Sequence, residues 1–80
     1  MDFESLCVLE DEKIQRILKE SDMDTLVLAL KAASPTVKER IEKNMSVRAC
    51  EELNQRLSSC SSVEIEKVIS AQEKLLSFVQ

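Results

Sequence analysis

Apolar positions along the chain recur at helical rather than strand spacing. Phe3, Leu6 and Cys7 share one helical face, which predicts one or two helical turns over Asp2–Val8. Ile14, Ile17 and Leu18 then form an i, i+3, i+4 stripe. Glu10, Asp11 and Glu12 lie just before it, where a helix dipole favours negative charge, so a second helix is predicted from Glu10 to about Glu20. Leu26 to Leu30 are consecutively apolar. A helix apolar on nearly all sides belongs at the centre of a helical assembly, and Ala and Leu favour helix over strand. This third helix is predicted from Met23 to about Ala33, capped by Ser21 or Asp22, with Lys31 near its C-terminal end.

Ser34-Pro35 marks the next start, an N-cap residue followed by proline at the first helical position. Val37, Ile41 and Met45 make the buried stripe of a fourth helix, and Lys38, Glu39, Arg40, Glu42 and Lys43 are predicted to face water. Asn44 is expected to end it in the left-handed conformation. Ser46 caps a fifth helix, Val47 to about Ser59, which turns Ala49, Cys50, Leu53 and Leu57 inward. Ser58-Ser59-Cys60-Ser61-Ser62 reads as a loop of capping residues, and Ser61 with Glu64 fits a capping box. A last helix runs to about Phe78, with Ile65, Val68, Ile69, Leu75, Leu76 and Val79 on its apolar face.

The pattern predicts an all-α domain of six helices, the first short, joined by short loops. Such helices pack as a compact domain or as a short stacked array. Composition narrows this further. There is no Gly and only Pro35, which disfavours tight β-turns and phosphate-binding loops alike. Phe3 and Phe78 are the only aromatic residues, so the core must be aliphatic. Charged residues, mixed in sign, make up 32% of the chain and suit solvated helix faces.

The net charge of −4 conceals a gradient. Residues 25–48 carry Lys31, Lys38, Arg40, Lys43 and Arg48 against only Glu39 and Glu42, while acids outnumber bases on either side. An acidic whole disfavours nucleic acid as the main partner, and the basic residues lack interleaved aromatics for base stacking. A basic middle between acidic ends allows an electrostatic contact with another protein. Cys7, Cys50 and Cys60 are odd in number without CxxC spacing. They read as small core or boundary residues in a reducing compartment. No His is present, so neither a metal site nor a Ser or Cys nucleophile with an imidazole base is expected. The pairs Glu51-Glu52 and Asp22/Asp24 read as solvated surface rather than acid–base machinery. No cofactor or catalytic residue is expected; a protein-binding module is. No apolar run approaches the ~20 residues of a membrane helix.

The wording then becomes specific. The segment FESLCVLEDEKIQRILKESDMDTLVLALKAAS, then KNMSVRACEEL, then VEIEKVISAQEKLL, resembles the C-terminal domain of the FliG family of flagellar motor switch proteins. The match runs without gaps from Phe3 to Phe78, and KNMSVRA, LALKAAS and Ile14-Gln15-Arg16 are its most specific pieces. The resemblance implies a six-helix, armadillo-like superhelical domain at the rim of a cytoplasmic rotor ring, peripheral to the inner membrane. It implies torque passed through complementary charges to the cytoplasmic loop of the stator protein MotA, with neighbouring FliG subunits and the switch protein FliM as further partners. The parts of a family chain that bind FliF and FliM are not in this sequence, so residues 1–80 are expected to be a single domain, either a fragment of a longer chain or an isolated domain. Met1 is either part of the family's Met-Phe-X-Phe hinge motif, whose last Phe aligns with Phe3, or a start residue.

The implied stator-contact set is Lys31, Arg48, Gln55, Arg56 and Glu64. Lys31 matches the Lys after the Leu-Ala-Leu run, and Arg48 matches the Arg of the Asn-Met-Ser-X-Arg motif. The family's next acidic pair falls on Gln55 and Arg56, and its later Arg falls on Glu64, so two charges are reversed and one is neutral. Family glycines are replaced at Ala32 and at Ser61-Ser62. Exposed ion pairs are individually weak, so such a contact rests on several exchangeable pairs whose signs select the partner. Two other readings stay open: a structural or regulatory paralogue without torque function, and a helical interaction module unrelated to motility.

Overall fold

A computed structural model describes residues 2–60 and 62–79. Met1 and Ser61 lie outside that range, and with them the expected hinge residue and one half of the expected capping box. The chain begins as a 3-10 helix, Phe3–Val8, closed by the Leu9 N–H on the Leu6 carbonyl. It buries Phe3 and Leu6 and leaves Cys7 half-buried. Helix α1 (Asp11–Glu20) follows, with Asp11 and Glu12 in its first turn and Ile14 and Ile17 inward.

Helix α2 (Met23–Leu30) is capped by Asp22, whose Oδ1 accepts the Thr25 N–H at 2.7 Å. Thr25 hydrogen bonding, through side chain and then backbone, holds the Asp22 carboxyl below the usual carboxylate range. The helix ends three residues before the expected Ala33. The Lys31 N–H is shared between the Val27 and Leu28 carbonyls, and Ala33 bonds back to Leu30, a tightening last turn. Ser34 explains the early stop. It is extended (ψ 158), as an N-cap before proline requires, so the chain must leave the helical region ahead of it.

Helix α3 (Pro35–Glu42) is capped by the Ser34 hydroxyl accepting from the Val37 N–H at 3.3 Å, and it buries Val37 and Ile41. Asn44 does not take the left-handed conformation: among the described residues none has positive φ. Its side chain does the capping instead. Nδ2 donates to the Arg40 carbonyl at 3.1 Å and to Asp11 Oδ1 at 3.3 Å, while Oδ1 accepts from Gln15 Nε2 at 3.1 Å. Nor does Arg40 simply face water. Nη2 donates to the Leu9 carbonyl at 2.7 Å and Nη1 pairs with Asp11 Oδ1 at 2.8 Å, tying α3 to the start of α1. Glu42 accepts from Asn54 at 2.7 Å.

Helix α4 (Val47–Ser59) takes its N-cap from Ser46, whose hydroxyl accepts the Ala49 N–H at 3.1 Å. Ser58 and Ser59 complete this helix rather than opening the loop, which starts at Cys60. Only Leu53 of α4 is fully buried. Cys50 is half-buried with its Sγ on the Glu42 carbonyl, and burial, with the Glu42 charge second, pushes its thiol pKa up. Helix α5 (Ile65–Ser77) starts with Glu64 as N-cap, without a side-chain capping bond. That places Glu64 just outside the helix, not three residues within it as a capping box led by Ser61 requires. Val68, Ala71, Leu75 and Leu76 are its buried stripe. Ile65 and Ile69, expected on that stripe, are 61% and 46% exposed. Ile69 shares a helical face with Leu76 two turns further on, and Ile65 lies a turn earlier still, so that face is buried only toward the C-terminal end of α5.

Helix α2 shares the most extensive interhelical contact of the fold. It packs most extensively against α5, where Gln72 Nε2 also donates to the Ala29 carbonyl at 3.0 Å, and less against α4. The 3-10 helix lies on α3 and α5. Ile14, Ile17, Leu26, Leu30, Val37, Ile41, Leu53 and Leu75 are among the side chains that meet in the centre, each contributing about 1.5–3 kcal/mol by burial. The radius of gyration, 11.4 Å, is close to the ~11.6 Å of an 80-residue globule, and the axes of 31, 28 and 21 Å exclude an elongated stack.

Candidate functional site

The expected contact residues lie on the α2 terminus, α4 and the start of α5, and the fold treats them differently. On α4 the inward side is Cys50, Leu53 and Leu57. Arg48 and Gln55 are seven residues apart, two helical turns, and therefore project from one outer stripe, with Glu51 and Glu52 between them. All four are exposed.

Arg48 occupies the first turn of α4. There the helix dipole disfavours a cation, and no acid in that turn offsets it. Among the described residues Arg48 makes no ion pair or side-chain hydrogen bond. The fold therefore gains nothing from the charge it displays there, which leaves the guanidinium available to a partner. Gln55 is likewise exposed. Glu64 is exposed beside the N-terminus of α5, where negative charge is favoured, and among the described residues only its carbonyl is engaged, by the Lys67 and Val68 N–H groups.

Lys31 and Arg56 are turned to internal work. Lys31 follows the last residue of α2. Its Nζ donates to the Leu57 carbonyl at 3.1 Å and to the Cys60 carbonyl at 2.9 Å, which ties it to the end of α4. Arg56 donates to Asp24 Oδ1 at 2.7 Å across the α2–α4 seam and reaches Glu52 Oε1 at 3.4 Å. The positive charge of Arg56 is thus offset by two of the chain's own carboxylates. Beside this pair lies an open, mostly apolar groove of about 390 Å³ lined by Asp24, Val27, Leu28, Arg56, Ser59 and Cys60.

The structure therefore commits Lys31 and Arg56 separately to contacts between α4 and the α2 segment, and sets Arg48 and Gln55 along the outer face of α4. Among the described residues no hydrogen bond or ion pair links Glu64 to the other four. Sequence reasoning missed Asp24 and Glu52 as partners of Arg56. The Glu52–Arg56 spacing of i, i+4 signals one of them. Nothing local signals Asp24, thirty-two positions away. The arrangement offers no chemistry beyond charge and apolar contact: among the described residues no group of three or more His, Cys, Asp or Glu converges on a metal-sized site. No described helix is long and apolar enough to cross a membrane.

Comparison with known proteins identifies the family. The family model of the FliG C-terminal domain matches residues 1–80. The flagellar motor switch protein FliG of Thermotoga maritima is 41% identical over 78 residues, covering 98% of this chain and 23% of that protein. The Vibrio cholerae protein of the same name is 37% identical over 78 residues, 98% of this chain and 22% of that protein. The chain thus spans under a quarter of the length of these curated relatives. A crystal structure of FliG (residues 86–343) from Helicobacter pylori superposes with a TM-score of 0.92 at 33% identity, covering 99% of this chain and 37% of that one. The relatives are switch components and not enzymes, and the chain belongs to the FliG C-terminal domain family.

Proposed function

We propose that this chain is the torque-bearing domain of a flagellar motor switch component, meeting the cytoplasmic loop of the stator protein MotA through reversible charge contacts. The observation that carries the reading is Arg48. It is an exposed cation at a helix N-terminus, in a position unfavourable to the helix, without an internal partner among the described residues, in the Asn44-Met45-Ser46-Val47-Arg48 motif. Gln55 lies on the same face and Glu64 supplies a separate negative charge. Arg56 contributes at the rim, its charge shared with Asp24 and Glu52. In this reading residues 1–80 act as one domain of a rotor subunit, beside neighbouring FliG subunits and FliM, at the cytoplasmic face of the inner membrane.

Arg56 and Glu64 favour a second reading, a structural or regulatory paralogue in the switch that does not bear torque. Their signs are opposite to the family's, so a contact built for the usual signs would be weakened at both positions. Replacing Arg48 by Glu in the full-length chain separates the two. Lost swimming on normally assembled filaments supports torque transfer. Normal swimming would favour the paralogue.

A further inference from the structure

Helix α4, whose outer face carries Arg48 and Gln55, is held by little burial: of its thirteen residues only Leu53 is fully buried. Its placement therefore depends on polar ties. Ahead of its last turn Cys50 and Asn54 reach Glu42. At its C-terminal end the last carbonyls have no helical N–H to accept, a standing feature of helix termini. Lys31 fills that position from another element. Its Nζ donates to Leu57 at 3.1 Å and Cys60 at 2.9 Å, so one ammonium spans the end of α4 and the residue that follows it. A cation at a helix C-terminus is favoured twice, by the carbonyl bonds and by the dipole.

The anchor point of this ammonium is itself rigid. Lys31 follows directly on α2, with its backbone N–H bonded to Val27 and Leu28, and α2 shares with α5 the most extensive contact in the fold. Val27 and Leu30, in the turn before it, are 7% and 4% exposed. We propose that Lys31 is a positioning residue, a clamp from the end of α2 that fixes the C-terminal end of α4 and so the direction in which its outer face is presented. It acts on a partner through α4 and does not touch the partner itself. This refines the contact face of the reading above and rests on it only for what α4 is presented to.

The clamp is tested on the chain alone, by amide hydrogen exchange in the wild type, Lys31→Met and Lys31→Arg. Met keeps the aliphatic stem and removes the donors; Arg keeps charge and donors. In Lys31→Met the Ser59 and Cys60 amides should exchange about tenfold faster, the loss expected for charge-assisted hydrogen bonds, while Ile17 in α1 keeps its rate. Lys31→Arg should restore most of the protection. Unchanged Ser59 and Cys60 rates in Lys31→Met, or equal acceleration throughout the chain, would overturn the proposal. The measurement involves no partner, so it stands or falls separately from the torque reading. A second arm addresses the partner. A swimming defect of Lys31→Glu that is cured by reversing an acid on the stator loop would make Lys31 a direct contact and also overturn the clamp.

Discussion

Arg56 on α4 donates through Nη1 to Asp24 on α2 at 2.7 Å, and the same guanidinium reaches Glu52 one turn back at 3.4 Å. The fold thus supplies this cation with two carboxylates. Both Arg56 and Asp24 remain well exposed, so the pair is screened by solvent. Arg56→Ala should cost under about 1 kcal/mol, and an Arg56/Asp24 double-mutant cycle in urea should return a coupling of about 0.2–1 kcal/mol that shrinks with added salt. A larger, salt-independent coupling would mean that the seam excludes more water than its exposure indicates.

The core prediction concerns Leu53, the one fully buried side chain of α4. Leu53→Ala should destabilise by about 2–5 kcal/mol, a large part of the stability of so small a domain. The denaturation midpoint reads this directly, and the slope m should stay constant if the same surface is exposed on unfolding.

On α5 the prediction separates two stripes that look alike in the sequence. Leu75→Ala should cost about 2–5 kcal/mol, whereas Ile69→Gln, on the exposed side, should change stability by no more than about 0.5 kcal/mol. Thermal melts of the two variants are sufficient to check it.

Asp22 gives a prediction in pH. Its carboxyl is held below the usual carboxylate range because hydrogen bonding from Thr25 favours the charged form. A depressed folded pKa stabilises above the ordinary aspartate value and is lost as pH falls through the lower folded value. Melts taken from about pH 6 down to about pH 3 should therefore show part of the acid destabilisation vanish in Asp22→Asn. Asn still caps the helix, so that variant should stay folded near neutrality, while Asp22→Ala should lose the cap at every pH.

Much of the fold was legible because helix signals here are local. Ser34-Pro35 and Ser46 mark helix starts through side chains that accept an N–H three residues on, and both starts are found where the motif places them. The errors came from long-range contacts. Arg40 looks solvated in its own helix, yet Leu9 and Asp11 reach it from another element. Asn44 suggested a left-handed stop, but its side chain found the Arg40 carbonyl and Asp11, so no backbone strain was needed. Ile65 and Ile69 read as core because periodicity names apolar residues without saying how far the core extends along a helix. In the site, Arg48 could be placed from its motif. The internal duty of Lys31 and the Arg56–Asp24 pair could not, since those partners lie 26 to 32 positions away.

The central claim is that the outer face of α4 meets a charged partner through Arg48, and rotation of tethered cells tests it most directly. Full-length protein with Arg48→Glu should turn slowly or stop on intact filaments, and reversing the facing acid of the stator loop should restore rotation. Arg48→Lys, which keeps the charge, should rotate nearly as the wild type. Undiminished rotation of Arg48→Glu would contradict the account.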